Sequence, residues 1–266
     1  MSAIQALVLG VLQGLTEFLP VSSSGHLVII PWLLGWPAAS LTFDTMVHWG
    51  TLLAVLIYFW HDVVYYIRAA VLSLVQRTLE VPGARAAWAI AIGTIPGALA
   101  GALLQKQFEA LFHSPHAAAG FLLVTALILV ASELVGQRIR SIDHITLLDG
   151  LIIGIGQAIA ITPGISRSGT TIATGLTRGL TRESAARFSF LLGIPIIFGA
   201  GLLQLKHLSG GSATVEPTTM LLIGFVAAAA SGFLAIHSLL RYLKRHSLYV
   251  FALYCALFGL AVLLFT

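Results

Sequence analysis

Glu17-Phe18-Leu19-Pro20-Val21-Ser22-Ser23-Ser24-Gly25-His26 places a carboxylate, three serines and a histidine inside an otherwise apolar N-terminal region. Hydrocarbon disfavours such groups unless they face a cavity or a partner. A second polar run, Pro163-Gly164-Ile165-Ser166-Arg167-Ser168-Gly169-Thr170-Thr171, lies in a later apolar region. Together these residue types suit a phosphorylated ligand. The Arg167 guanidinium is a fork-shaped donor that matches phosphate oxygens. Hydroxyls and the N–H groups of helix N-termini bind anions, and Gln13, Ser22, Ser24, Ser166, Ser168, Thr170 and Thr171 are candidates to hold one. His26 can act as acid, base or nucleophile. Glu17 either orients that histidine or holds a divalent cation that bridges phosphates. Phosphoryl transfer needs little beyond such positioning and charge neutralisation.

The elements that must position these groups follow from composition. Of 266 residues, 58% are hydrophobic and 9% are charged, with a mean hydropathy of +0.97; soluble domains carry about 25% charged residues. This predicts an all-α polytopic membrane protein. The net charge of +4 is spread over short loops, which reads as a topology signal and not as a nucleic-acid surface. Cys255 is the only cysteine, so no intramolecular disulfide forms. No basic region precedes the first apolar run, so no cleavable leader is expected.

Six stretches have the length of about 20 residues needed to span a bilayer: 42–60, 85–104, 116–135, 183–205, 218–240 and 247–265. Residues 3–34 and 145–177 instead read as re-entrant hairpins, each an apolar run, a polar break and a shorter run. Backbone broken at membrane depth is tolerated only where protein or water satisfies it. Residues 61–84 read as a surface helix and a loop. The two hairpins look related: at a spacing of 144, Gly10 meets Gly154, Gln13 meets Gln157, Ser22 meets Ser166, Ser24 meets Ser168 and Gly25 meets Gly169. Each hairpin is followed by three spans, which predicts one membrane domain, 1–266, built of repeats at about 1–140 and 145–266. An odd number of crossings inverts the second repeat relative to the first, a recurrent membrane plan.

Loops on one side of this topology collect Arg68, Arg77, Arg85, Arg138, Arg140, Arg178, Arg182, Arg187, Arg241, Lys244 and Arg245. The other side collects Lys106 and Lys206. The basic side is cytoplasmic, so both termini and the mouth of the first hairpin face outward. Other polar residues have plainer readings. Asp44 and His48 share a helical face, which suits a structural bond as well as a role in the site. Asp143, His144 and Asp149 read as a solvated loop. His113, His116, His207, His237 and His246 read as loop or interface residues. Thr170 and Thr171 could equally bond back to their own helix, and Ala227 to Gly232 lets helices approach closely.

The motifs together resemble the undecaprenyl-diphosphate phosphatase family of the bacitracin-resistance type. Gln13-x-x-x-Glu17 is similar to its [E/Q]-x-x-x-E motif, and Phe18 to His26 to its FLPVSS[ST]GH run. Pro163 to Thr171 is similar to its PGxSRSxxT motif, and Phe43-Asp44 with His48-x-Gly50-Thr51-Leu52 to the segment between them. The resemblance covers essentially the whole chain. It implies hydrolysis of a C55 isoprenoid diphosphate to the monophosphate and inorganic phosphate, with a divalent cation such as Mg or Ca. It also implies an active site toward the periplasm of the bacterial cytoplasmic membrane, recycling of a lipid carrier for cell-wall synthesis, and bacitracin resistance. Glu17, Ser23, His26 and Arg167 would be catalytic, with the attacking group open between Ser23, His26 and water. The partners expected are the lipid substrate, membrane lipids and, in a homodimer, a second copy. The rival reading is a polyprenyl-phosphate transporter or flippase, since inverted repeats with broken helices are a transporter plan. The lipid phosphatase family with an SRxxxxxHxxxD motif is excluded, because no histidine lies between Arg167 and His207.

Overall fold

A computed structural model describes residues 1–103, 114–208 and 216–265, with only the backbone at 205–208. Lys106 and His113 therefore lie outside the described residues, as do the side chains of Lys206 and His207. The described residues form helices α1 (Ala3–Phe18), α2 (Ser23–Leu33), α3 (Leu41–Tyr58), α4 (Trp60–Gln76), α5 (Ala84–Leu103) and α6 (Pro115–Val135). After a 3₁₀ turn at Ile142–His144 follow α7 (Leu147–Ile159), α8 (Arg167–Thr177), α9 (Arg182–Leu208), α10 (Thr218–Leu243) and α11 (Tyr249–Phe265). Helices α3, α5, α6, α9 and α10 are long and apolar enough to cross a membrane, while α11 is apolar and has 17 residues.

Helices α1–α2 and α7–α8 form the two broken hairpins, and the same cap chemistry recurs 144 residues apart. Ser2 accepts from the Gln5 N–H while its own N–H donates to Gln5 Oε1. Thr146 and Asp149 repeat that reciprocal capping box, which satisfies two otherwise orphaned donors. The second arms match as well. Ser22 Oγ accepts from Gly25 N–H at 3.3 Å and Ser166 Oγ from Gly169 N–H at 3.0 Å. Capping by a hydroxyl is a strong helix start, so both polar breaks are shorter than their sequences suggest. Arg167, expected in a loop, is the first residue of α8. Ser23 to His26 likewise form the first turn of α2.

Each hairpin packs on a helix of the other half of the chain: α1 lies along α10, and α7 along α5. Glycines set both contacts. A Cβ at Gly10 would sit 3.0 Å from Gly224 Cα, and one at Gly154 would sit 2.7 Å from Gly93 Cα. The small residues from Ala227 to Gly232 serve the close packing expected of them, since Gly14 meets Ala228, Ser231 and Gly232. Lipid tails are as apolar as the helix surfaces, so contact of this kind, and not hydrophobic expulsion, holds membrane helices together.

At one end of the bundle, two buried carboxylates gather arginines. Glu133 on α6 accepts from Arg182 Nε at 2.8 Å and Nη2 at 2.6 Å, and from the Leu248 N–H that precedes α11. Asp149 accepts from Arg140 Nη2 and Arg178 Nε, each at 2.7 Å. Asp149 is therefore not the solvated loop residue expected; it is fully buried. Its second role, as the N3 acid of the α7 capping box, was hidden by the neighbouring Asp143 and His144. Helix α4 is where a surface helix was expected and ends at Arg77 in the left-handed conformation.

Glycine packing yields a direct test. Gly14→Val should destabilise the protein by about 1–3 kcal/mol, the usual cost of overpacking, because a Cβ there would lie 2.8 Å from Gly232 N. Gly120→Ala, where a Cβ meets nothing within 4 Å, should leave the melting temperature in detergent unchanged or raised.

Candidate active site

The tips of the two hairpins touch. Ser168 Oγ donates to the Leu19 carbonyl at 3.2 Å, Gly25 sits against Gly164, and Gly169 against Pro20. Thr125 on α6 braces the second tip: its hydroxyl donates to the Gly164 carbonyl at 2.9 Å and accepts from the Ser166 N–H at 3.0 Å. Gly164 takes a positive φ of 93°, and Ser22 one of 71°. The second is uncommon for a residue with a side chain. It is held by the cap to Gly25 and by the Ser22 carbonyl, which accepts from the His26 N–H at 3.2 Å.

At the junction lies a buried network. Arg167 Nη2 donates to Glu17 Oε1 at 2.5 Å, and Ser23 Oγ donates to Glu17 Oε2 at 2.7 Å. Gln13 Nε2 donates to the same Oε2 at 3.0 Å. Since a carboxylate only accepts, this bond fixes the Gln13 amide so that its Oε1 points elsewhere; that oxygen is buried without a hydrogen-bond partner. Arg167 Nη1 donates to the Ser189 carbonyl at 3.3 Å, and Thr171 Oγ1 lies 2.6 Å from Ser189 Oγ. The guanidinium lies against Gly193 of α9, where a Cβ would come within 2.8 Å of Cζ. Breaking a buried ion pair by removing one partner leaves an uncompensated charge, at about 3–5 kcal/mol.

His26 belongs to a neighbouring set of contacts. Its Nδ1 lies 2.7 Å from the Ser22 carbonyl and its Nε2 2.7 Å from the Tyr254 hydroxyl of α11. Phe258 stacks on the imidazole at 5.0 Å between centroids. The expectation that Glu17 might orient the histidine is thus not met: Glu17 is engaged by Gln13, Ser23 and Arg167, and Ser22 and Tyr254 hold His26. Among the remaining candidates, Ser22 and Ser166 cap helices, and their hydroxyls lie 3.3 Å from those of Ser24 and Ser168 respectively. Thr171 bonds back to the Arg167 carbonyl at 2.8 Å as well as facing Ser189, and Thr170 Oγ1 is buried without a partner. His48 Nδ1 lies 2.7 Å from the Asp44 carbonyl. Of the two readings left open for this pair, the structural bond is the one seen, and it runs to the Asp44 backbone, since Asp44 Oδ1 is buried without a partner.

Sequence reading missed Ser189, Gly193 and Tyr254. Each is a single small or polar residue in an apolar span, a pattern that helix packing produces by itself.

The fold and the junction define a multi-pass helical membrane protein with an ion-paired, hydroxyl-rich site between two broken hairpins. The chain belongs to the family of the bacitracin resistance protein BacA, whose model matches residues 6–261. Curated relatives named undecaprenyl-diphosphatase include one from Thermomicrobium roseum, 44% identical over 99% of this chain and 98% of its own. One from Moorella thermoacetica is 46% identical over 96% and 94%, and one from Geobacter sulfurreducens 43% identical over 99% and 98%.

Gly193→Ala tests the seat of the arginine. The methyl must push the guanidinium off α9, so phosphate release from an isoprenoid diphosphate should fall about tenfold or more. The melting temperature should change far less than in Gly14→Val.

Proposed function

We propose that the protein is a membrane phosphatase that hydrolyses undecaprenyl diphosphate to undecaprenyl phosphate and inorganic phosphate. The observation that carries the chemistry is the Ser23–Glu17–Arg167 network. A nucleophile within hydrogen-bond reach of a base, itself held by a third group, is the signature of an activated nucleophile. Ser23 Oγ attacks the terminal phosphorus, Glu17 takes the hydroxyl proton, and the bond to the bridging oxygen breaks, releasing the lipid monophosphate. Water then hydrolyses the phosphoserine. Arg167 neutralises the phosphoryl oxygens, and the first N–H groups of α8 complete the anion cradle. Carrier recycling for cell-wall synthesis and bacitracin resistance follow from that activity.

The donor set suits a divalent cation that arrives with the substrate. Glu17 is the network's one carboxylate, the buried Gln13 Oε1 beside it lacks a partner, and hard cations are held by one or two such oxygens together with phosphates. A cation there would add charge neutralisation at the diphosphate. The described residues contain no cluster of three or more metal-binding side chains, so diphosphate oxygens would supply the remaining ligands.

We read the architecture as six spans and two re-entrant hairpins in an inverted repeat, about 1–140 and 145–266. It sits in the cytoplasmic membrane with both termini outside and the site open to the periplasm. Supporting this are the matching caps of the hairpins and the arginine-rich end at Glu133 and Asp149, which would face the cytoplasm. The crossed hairpins also suit movement of lipid phosphate across the membrane, the second reading.

Three measurements check these assignments. Purified protein in detergent, where vectorial transport is impossible, should release phosphate from isoprenoid diphosphates and lose that activity with chelator. Arg167→Lys keeps the charge but not the fork and should lose about 10²-fold in turnover; near-normal turnover would remove Arg167 from the site. After Cys255 is replaced, Ala38→Cys and Glu216→Cys should react with an impermeant thiol reagent in intact cells. Glu80→Cys and Lys244→Cys should react only after permeabilisation, and the reverse pattern inverts the topology.

A further inference from the structure

We propose that Tyr254 is a positioning residue for this hydrolysis: its phenol fixes the tautomer and direction of the His26 imidazole, whose Nδ1 holds the Ser22 carbonyl and with it the turn that presents Ser23. The inference rests on the phosphatase reading above and adds to it a residue outside both polar motifs.

The hydrogen-bond logic leaves little freedom. The Ser22 carbonyl can only accept, so His26 Nδ1 at 2.7 Å must carry the proton. In the neutral ring Nε2 is then an acceptor, and the Tyr254 hydroxyl, 2.7 Å away, is its donor. Both ring nitrogens are thereby committed. The imidazole is buried to 1% exposure and stacked nearly parallel to Tyr254 and Phe258, at interplanar angles of 8° and 19°. Ring planes so confined hold Nε2 in one direction, toward α11.

Packing alone does not call for this tyrosine. Its segment, Tyr249–Phe265, is otherwise almost entirely aliphatic or phenylalanine, and Phe258 already supplies an aromatic face. The hydroxyl is the part that phenylalanine lacks, and hydroxyls at membrane depth find partners; here the partner is His26. Ser23 and His26 lie one turn apart on α2. Ser23 bonds toward α1 through Glu17 and His26 toward α11 through Tyr254, so α2 carries the attacking hydroxyl and the imidazole to two different supports.

The test is a double-mutant cycle on full-length protein in detergent, with phosphate release from an isoprenoid diphosphate as one readout. Tyr254→Phe keeps the ring and should lower kcat about tenfold with KM within twofold of wild type. His26→Ala should lower kcat further, and the double variant should be no worse than His26→Ala, because residues that act as a unit are not additive. Tyr254→Leu should fall within a few-fold of Tyr254→Phe, since the hydroxyl carries the effect. The second readout needs no turnover: ¹⁵N spectra of histidine-labelled protein, with His26 assigned by its loss in His26→Ala. Wild type should show the Nδ1–H tautomer with a hydrogen-bonded Nε2, and that Nε2 resonance should shift in Tyr254→Phe. Near-wild-type kcat in Tyr254→Phe, losses that multiply in the double variant, or an unmoved His26 resonance would each overturn the proposal. A wild-type protein that releases no phosphate overturns the phosphatase reading instead, and the spectra still decide the Tyr254–His26 bond.

Discussion

The ion pair between Glu17 and Arg167 joins the charged side chains of the two polar motifs, 150 residues apart in sequence. Neither charge is acceptable alone once buried. Each hairpin tip therefore needs the other, and the bundle must bring them together before either side chain has a stable environment. The helix contacts make sense in that light. α1 is seated on α10 and α7 on α5 through glycines, and the tips are locked by Ser168, Gly25 and Thr125. The pair also leaves part of the guanidinium's donor capacity unspent, with the anion cradle of α8 beside it.

The hairpins show how a polar site is built with little irregular backbone. Ser22 and Ser166 end the breaks as soon as they begin, each capping the glycine three residues on. The N–H groups of a fresh helix then point into the junction, where the dipole favours an anion. Only a few residues per hairpin lack helical hydrogen bonding, which keeps the desolvation of backbone groups small.

Much of this was legible in the sequence because it is written in residues that hydrocarbon tolerates badly. Glu17, Ser23 and Arg167 stood out, and the spacing of 144 that joined Ser22 to Ser166 also joins Ser2 to Thr146 and Gln5 to Asp149 in matching capping boxes. The breaks were read as too long, because Pro20 and Gly164 signal a turn but do not say how soon a serine will restart the helix. Asp149 was misread for a related reason: next to Asp143 and His144 it resembled a solvated cluster, and its arginine partners lie 9 and 29 residues away. Tyr254 and Ser189 could not be found by pattern at all, since a lone hydroxyl in an apolar span is ordinary and its partner is set by tertiary packing. Of the two roles left open for Glu17, orienting the histidine falls away on the same point: α2 turns Ser23, not His26, toward the carboxylate.

The exchange of packing partners between the two halves has a consequence for synthesis. The surface on which α1 rests, α10, begins at Thr218, so at least 200 residues must follow α1 out of the ribosome before it can dock. Contacts of such long sequence separation form late. Until then the first hairpin lacks that support. Its 16-residue first helix covers about 24 Å at 1.5 Å per residue, short of the roughly 30 Å hydrocarbon core. Until α10 is made, α1 is thus both shorter than that core and without the surface it packs on.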